Sequence, residues 1–117
     1  MTPVSVGAEK SIKSAMGEAH KLFIYGTLQD SDIQKKIFGR IIEGIEDSLV
    51  GYKRSKIIIE GDSYPVVVPS VIGEVEGKVI ELTSEKLELV DKYETNAYKR
   101  EQVILKSGIS AWVYIKA

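Results

Sequence analysis

The 117-residue chain contains no cysteine and a single histidine, His20. Without cysteine the chain can form neither a disulfide nor a thiolate zinc site, and it has no thiol nucleophile. One histidine excludes a metal site built from several histidines and leaves few ways to assemble a serine triad. The lack of cysteine also fits a cytoplasmic protein, which is the location that we expect.

An excess of one charge and a long apolar run are also missing. Lysine and arginine number 16 against 17 aspartates and glutamates, which gives a formal net charge of −1. Such a balance offers little electrostatic basis for binding nucleic acid or an anionic membrane. No apolar run approaches the roughly 20 residues of a membrane-spanning helix, and the first residues lack a signal-peptide core. We therefore expect neither nucleic acid nor a membrane as a partner.

The chain changes character near residue 20. Residues 1–20 are rich in small and polar residues with weak periodicity. We interpret them as a loosely attached N-terminal arm, part of which precedes the native start, and Met16 is one candidate for that start. We interpret residues 21–117 as one compact domain, and the 44% hydrophobic and 28% charged composition of the whole chain is ordinary for a globular protein.

The first elements of this domain are a strand and a helix. The apolar run Lys21–Tyr25 is stopped by Gly26, which is typical of a buried strand. Asp30 or Ser31 is then expected to cap a helix that ends at Gly39.

A β-rich stretch, a second helix and a hairpin follow. Four β-branched runs occupy residues 41–82, and Gly73 and Gly77 within the last of them predict bends or bulges. The segment SEKLELVDKYE predicts a helix with Ser84 as its N-cap. Two final runs predict a hairpin that turns near Ser107–Gly108. Short curved strands with two helices predict an α+β fold, in which helices pack against a small barrel-like sheet.

The second predicted helix ends on a carboxylate that stability alone does not explain. Leu87, Val90 and Glu94 are spaced to lie on one helical stripe, so Glu94 should approach the core with its apolar neighbours. A negative charge there is unfavourable, both through burial and at the C-terminal pole of the helix. A sheltered carboxylate has a raised pKa and can transfer protons near neutral pH. The alternative is a structural ion pair between Glu94 and Arg100 or a nearby lysine.

A second candidate site is the loop Tyr25–Leu28, with the sequence YGTL, directly after the first strand. Glycine lets a backbone approach a ligand closely, and successive N–H groups in such a turn can hold an anion. For four residues alone, an ordinary strand-to-helix turn explains the pattern better. The acidic cluster at residues 30–32 is better explained as a helix cap than as a cation site. His20, Trp112 and Tyr114 are interpreted as packing or surface residues.

Together these motifs resemble the gamma-glutamylcyclotransferase-like superfamily. The likeness is carried by Tyr-Gly-Thr-Leu after the first strand, a central YP, a Gly-Glu-Val strand, VDKYETNAYKR and the final AWVYI, from about residue 22 to residue 115. The resemblance implies a closed, mixed β-barrel flanked by helices, with a cavity between the loop and the glutamate.

The resemblance also implies roles for individual residues. Tyr25, Gly26, Thr27 and Leu28 would bind the substrate, Glu94 would transfer the proton, and Tyr98 would form part of the pocket wall. Arg100 would be a structural partner, and neither a metal nor an organic cofactor would be needed. The superfamily often has glycine after this glutamate, whereas Thr95 follows it here.

The implied reaction is release of 5-oxoproline from a γ-glutamyl compound, whose own α-amine attacks its γ-carbonyl. The leaving group is open between an amino acid, an amine, a peptide and an antibiotic intermediate. The alternative function is a non-catalytic protein that keeps the fold and the pocket for another small ligand.

Overall fold

The computed structural model describes residues 19–117. Of the predicted N-terminal arm, everything before residue 19 lies outside the described residues. Short 3₁₀ turns lie at Thr27–Gln29 and Thr95–Ala97. The strands and helices, in chain order, are β1 (His20–Ile24), α1 (Ser31–Phe38), β2 (Ile45–Ile59), β3 (Asp62–Leu82), α2 (Ser84–Glu94), β4 (Tyr98–Ile104) and β5 (Ser110–Lys116).

The five strands form one mixed sheet in the order β2-β3-β1-β5-β4. Only the pairing of β1 with β5 is parallel, and the other pairings are antiparallel. The sheet curls into a half-barrel with both helices packed against it, so the predicted α+β class is confirmed. In the described part of the chain β2 and β4 are the sheet's edges, so the curl stops short of the full closure that the resemblance implies.

Strand β1 is the centre of the molecule because both of its faces are buried. On one face Phe23 packs with Val67, Val113 and other residues of the sheet. On the opposite face Leu22 and Ile24 pack with helix residues such as Leu87, Val90 and Phe38. A strand covered on both sides has a continuous apolar sequence, which is why the run Lys21–Tyr25 could be recognised. The loop that follows β1 therefore starts from a rigid support.

Strands β2 and β3 are longer than the sequence indicated. The predicted short runs join into strands of 15 and 21 residues, which form one long hairpin that turns at Glu60 and Gly61. Its register shifts between Val50 and Tyr52, which is a bulge of the predicted kind. A Cβ atom on Gly77 would lie 2.3 Å from the carbonyl oxygen of Ile24, so this glycine permits the close crossing of β3 over β1.

Both helices begin at a side-chain cap. Asp30 caps α1, as predicted, by accepting a hydrogen bond from the N–H of Asp32 at 2.8 Å, and Gly39 ends it with φ at 79°. For α2 the predicted cap, Ser84, was wrong by one residue. Thr83 accepts from the N–H of Lys86 at 3.2 Å, because Ser84 already has helical geometry. Within residues 19–117, neither helix has the length and apolar character needed to cross a membrane.

A hydrogen-bonded cluster fixes the end of α2 to the sheet. Arg100 donates to both carboxylate oxygens of Asp91 at 2.9 Å, and the hydroxyl of Tyr114 donates to the same carboxylate at 2.5 Å. The guanidinium carbon of Arg100 lies 4.5 Å from the ring centre of Trp112. Bidentate geometry and stacking make this pair stronger than an isolated surface ion pair.

We predict that Asp91→Asn lowers the free energy of unfolding by about 1–3 kcal/mol, because it weakens charge-assisted hydrogen bonds from both Arg100 and Tyr114. Glu81→Gln is the matched control, since Glu81 forms a long, exposed pair with Lys21 at 3.6 Å and should matter by no more than about 0.5 kcal/mol. Urea unfolding of the two variants measures both changes in the free energy of unfolding. Equal changes would show that the Asp91 cluster contributes no more to stability than an exposed ion pair.

Candidate functional site

Two side chains from other parts of the chain hold the ends of the Tyr25–Leu28 loop. Arg54 on β2 donates to the carbonyl of Tyr25 at 2.9 Å, and Gln34 on α1 donates to the carbonyl of Leu28 at 2.7 Å. Gln34 is buried and its own oxygen accepts from the N–H of Ile42 at 2.9 Å. The conformation of the loop is therefore fixed by the surrounding fold.

The backbone of this loop presents hydrogen-bond donors. The N–H groups of Gly26, Thr27 and Leu28 have no acceptor within residues 19–117. Gly26 also packs under the hairpin, because a Cβ atom at this position would lie 3.1 Å from Cγ of Pro65. A larger residue would require the proline ring to shift slightly. The loop thus combines a close backbone approach with donors that can bind an electron-rich oxygen.

Glu94 lies on the same cavity as the loop. It is the last residue of α2 and follows Leu87 and Val90, which are both buried in the core. Burial raises the pKa of the Glu94 carboxyl from its ordinary 4.5 to about 7. No cation or hydrogen-bond donor among residues 19–117 pairs with this carboxylate. An unpaired carboxyl that titrates near neutrality can both accept and donate a proton under ordinary conditions.

The alternative of a structural Glu94–Arg100 pair is not what the structure contains. Arg100 is bound to Asp91, one turn earlier on α2. Arg100 is therefore a structural partner, as expected, but of a different carboxylate. Because Arg100 is bound to Asp91, the cation that the sequence offered as a partner for Glu94 does not neutralise its charge.

Tyrosines surround the carboxylate. Tyr98 donates from its hydroxyl to the carbonyl of Pro65 at 2.6 Å, and Tyr25 donates to the carbonyl of Tyr114 at 2.6 Å. Burial, followed by the nearby Glu94 charge, raises the pKa of Tyr98 to about 12. Burial is also the main cause that raises the pKa of Tyr25, with smaller contributions from Tyr98 and Glu94. These hydroxyls therefore stay protonated at neutral pH and remain donors.

The cavity has an inner and an outer part. The inner part, of about 20 Å³, is lined by all four loop residues together with Phe23, Ile24, Pro65, Glu94, Tyr98 and Tyr114. That volume holds about one water molecule. An outer groove of about 330 Å³ adjoins it, since Thr27, Pro65, Glu94 and Tyr98 line both spaces. The structure thus brings together every residue that the sequence singled out for the site.

Thr95, which directly follows Glu94, has a strained backbone. Its φ is 63° and its ψ is −169°, a region that is essentially restricted to glycine. Its N–H nevertheless donates to the carbonyl of Asp91 and ends the helix. The chain therefore keeps a glycine-type turn although it carries threonine, the residue in which it departs from the superfamily pattern. The turn directs the chain from Glu94 into β4.

Other candidates are less informative. Residues 19–117 contain no cluster of three or more histidine, aspartate or glutamate side chains arranged to hold a metal ion. His20 contacts the hydroxyl of Ser84 at 2.7 Å and lies away from the cavity. Sequence reasoning missed Gln34 and Arg54. The only signal was a glutamine between the apolar residues of α1, and Arg54 lies in a polar stretch with no signal at all.

A half-barrel in which a partly buried glutamate, unpaired among residues 19–117, faces a glycine loop is the arrangement that the resemblance implies. A sequence profile described as "Gamma-glutamyl cyclotransferase, AIG2-like" matches residues 22–117. The chain belongs to this family. The family membership confirms the resemblance drawn from the motifs.

Similar proteins include plant relatives and solved structures. AIG2-like protein B of Arabidopsis thaliana is 42% identical over 84 residues, covering 71% of this chain and 48% of that protein. The chain spans about half the length of the curated relatives it matches. A solution structure of another Arabidopsis thaliana protein has a TM-score of 0.70 at 34% identity, covering 84% of this chain and 68% of that one.

A structure of a gamma-glutamyl cyclotransferase has a TM-score of 0.68, with coverage of 85% of this chain and 67% of that one. At 15% identity, this likeness shows a shared fold.

We predict that Thr95→Gly stabilises the protein by about 1 kcal/mol, because relief of a strain of about 1–3 kcal/mol outweighs the added flexibility of glycine. Thr95→Ala is the control, since alanine keeps the strain and loses the weak hydrogen bond from the N–H of Ala97 to the threonine hydroxyl at 3.4 Å. In thermal unfolding, the Thr95→Gly variant should have the highest melting temperature, the wild type the next and the Thr95→Ala variant the lowest. A glycine variant no more stable than the alanine variant would contradict the strain at this position.

Proposed function

We propose that this domain releases 5-oxoproline from γ-glutamyl compounds by intramolecular aminolysis. The observation that carries the proposal is the Glu94 carboxyl, which is unpaired among the described residues, has a pKa near 7 and faces the Tyr25–Leu28 loop across one cavity. The family membership supports the same reaction class.

The reaction needs a group that first removes a proton and then returns one. The substrate's α-ammonium is not nucleophilic until it loses a proton, and Glu94 accepts that proton. The amine lone pair then attacks the γ-carbonyl carbon and forms the five-membered ring. As the bond between this carbon and the leaving nitrogen breaks, Glu94 gives its proton to the leaving nitrogen and then accepts the second proton, which the ring nitrogen must lose to become an amide. The departing amine takes up that proton as an ammonium, which returns Glu94 to its ionised form. A carboxyl with a pKa near 7 performs both transfers with a small energetic penalty.

The loop supports this chemistry through its backbone. Its N–H groups, which have no acceptor within the described part of the chain, bind the γ-carbonyl oxygen, on which negative charge develops during the attack. Arg54 and Gln34 hold the carbonyls at the two ends of the loop, so the donors are in place before the substrate binds. Ring closure itself needs little more than the correct folding of the glutamyl chain, which the walls of the cavity impose.

The alternative remains a non-catalytic protein that binds another small ligand in the same pocket. The small inner part of the cavity, about 20 Å³, favours this alternative, because a glutamyl group must either extend into the outer groove or displace a wall. Proton transfer by Glu94 is the property that separates the two functions.

We predict that Glu94→Gln loses turnover by roughly 10²-fold or more, since glutamine has nearly the same shape but cannot accept the ammonium proton. Release of 5-oxoproline from a panel of γ-glutamyl amides, γ-glutamyl amino acids and a γ-glutamyl peptide measures it. Glu88→Gln is the matched control, because Glu88 lies on the exposed face of the same helix. Native turnover in the Glu94→Gln protein would exclude the mechanism, and no turnover by the wild type would favour the binding protein.

A stability measurement tests the state of the same carboxyl. The pKa of Glu94 is about 7 in the folded state against 4.5 ordinarily, so ionisation favours the unfolded chain. The wild type should therefore lose stability relative to Glu94→Gln as the pH rises from about 4.5 to about 7, and the difference should persist above that range.

We expect the two proteins to melt alike near pH 4.5, and the glutamine variant to be about 1–3 kcal/mol more stable at pH 8. Thermal melts across this range provide the measurement, with Glu88→Gln again as the control. A variant that is less stable at pH 8 would indicate that Glu94 has a favourable partner.

A further inference from the structure

Most of the outer groove has no role in the proton transfers described above. Its volume is about 330 Å³, and it opens directly beside the Glu94 carboxylate. It is lined by Thr27, Ile59, Tyr64, Pro65, Tyr93, Glu94, Thr95 and Tyr98. These residues come from the substrate loop, the tip of the β2–β3 hairpin, the end of α2 and the start of β4. Four separate parts of the chain therefore meet to form it.

The groove is aromatic and lacks positive charge. Tyrosines at positions 64, 93 and 98 provide much of its wall, together with Ile59 and Pro65. No lysine or arginine is among its lining residues, which all belong to the described part of the chain. Glu94 provides the one carboxyl group among these lining residues. A ligand with a carboxylate in this space would face a like charge without a compensating cation.

Hydrogen bonds hold two of the tyrosines in place. The hydroxyls of Tyr93 and Thr27 are 2.8 Å apart, and Tyr98 donates to the carbonyl of Pro65 at 2.6 Å. Tyr64 is 39% exposed and Tyr93 38% exposed, so aromatic surface remains available to a ligand. Rings that are already held in place bind an apolar group with little loss of conformational freedom.

The position of the groove determines which part of a substrate would enter it. Thr27, Pro65, Glu94 and Tyr98 line both the inner cavity and the groove. With the γ-carbonyl between the loop and Glu94, the glutamyl chain occupies the inner part and the adjoining end of the groove, and the substituent on the leaving nitrogen extends farther outward. The groove is the adjoining space that can receive that substituent.

We propose that the outer groove is a leaving-group subsite that selects uncharged apolar amines, aromatic ones above all, over amino acids and peptides. This inference rests on the proposed function. In the reaction, the bond from the γ-carbonyl carbon to the amine nitrogen breaks, and Glu94 protonates that nitrogen. The aromatic part of the departing amine packs between Tyr64 and Tyr93, while a carboxylate on the same amine is repelled by Glu94.

A matched substrate pair tests the selectivity. γ-Glutamyl-phenethylamide and γ-glutamyl-phenylalanine have the same ring and differ by one carboxylate on the leaving group. We expect kcat/KM for the amide to be higher by about tenfold or more, the range that one pocket contact supplies. Equal values, or a preference for γ-glutamyl-phenylalanine, would overturn the inference.

Two variants of Tyr64 test the groove itself. Tyr64→Ala should lower kcat/KM for the phenethylamide by about tenfold, with a smaller loss for γ-glutamyl-methylamide, whose leaving group does not reach the ring. Tyr64→Lys supplies the missing cation and should shift the preference toward γ-glutamyl-phenylalanine. Ile58→Ala is the control, since Ile58 is exposed on the same hairpin and does not line the groove. Parallel losses for all three substrates in both Tyr64 variants would contradict a subsite at this position.

γ-Glutamyl-methylamide distinguishes failure of the groove inference from failure of the proposed function. If the wild type converts it without preferring the phenethylamide to γ-glutamyl-phenylalanine, the groove inference fails and the proposed function stands. If the wild type converts none of the three substrates to 5-oxoproline, the proposed function fails and the groove inference fails with it.

Discussion

Arg100 pairs with Asp91 and not with Glu94, and the raised pKa of the Glu94 carboxyl depends on this pairing. Asp91 and Glu94 are three residues apart on α2, so either is within reach of a cation beside that helix face. Arg100 binds Asp91 with two hydrogen bonds of 2.9 Å, and Tyr114 completes the shell around that aspartate. The guanidinium is further fixed by its stacking on Trp112. Pairing with Glu94 would instead have stabilised its charge and lowered its pKa.

The end of α2 concentrates features that do not favour folding. Among the described residues Glu94 is an unpaired acid at the negative pole of a helix, and Thr95 has a backbone conformation that suits glycine. The rest of the fold compensates for them. Strand β1 is buried on both faces, Leu87 and Val90 anchor the helix, and the Asp91 cluster attaches it to β4 and β5. Such local strain supported by a well-packed surround is typical of functional sites.

The parts of the structure that depend on local patterns could be predicted. The run Lys21–Tyr25, the caps of α1 and the stripe formed by Leu87, Val90 and Glu94 are each set by periodicity or by one capping residue. Contacts between residues far apart in the chain could not be predicted from such patterns. Arg54 reaches the Tyr25 carbonyl across 29 positions of the chain, and nothing in its neighbours marks it.

Asp91 was missed as the partner of Arg100 for a similar reason. In sequence, the spacing to β4 suits a pair from Asp91 or from Glu94 equally well, whereas in the structure the hydroxyl of Tyr114 and the ring of Trp112, both on β5, make Asp91 the better partner. The length of the β2–β3 hairpin was also missed, because glycines that end a strand in one context permit a bulge or a close crossing in another.

The division of the site between a fixed part and a hairpin tip has a consequence for specificity. The loop and Glu94 are supported by β1, which is buried on both faces, and by α1 and α2, which pack on one of those faces. Ile59 and Tyr64 instead flank the turn at Glu60 and Gly61, at the far end of the hairpin. Their side chains shape the outer groove but do not line the inner cavity. In the proposed reaction, substitutions at this tip can change the leaving group that is accepted while the proton-transferring carboxyl keeps its environment. Selectivity is then a property of the hairpin tip, and catalysis is a property of the core.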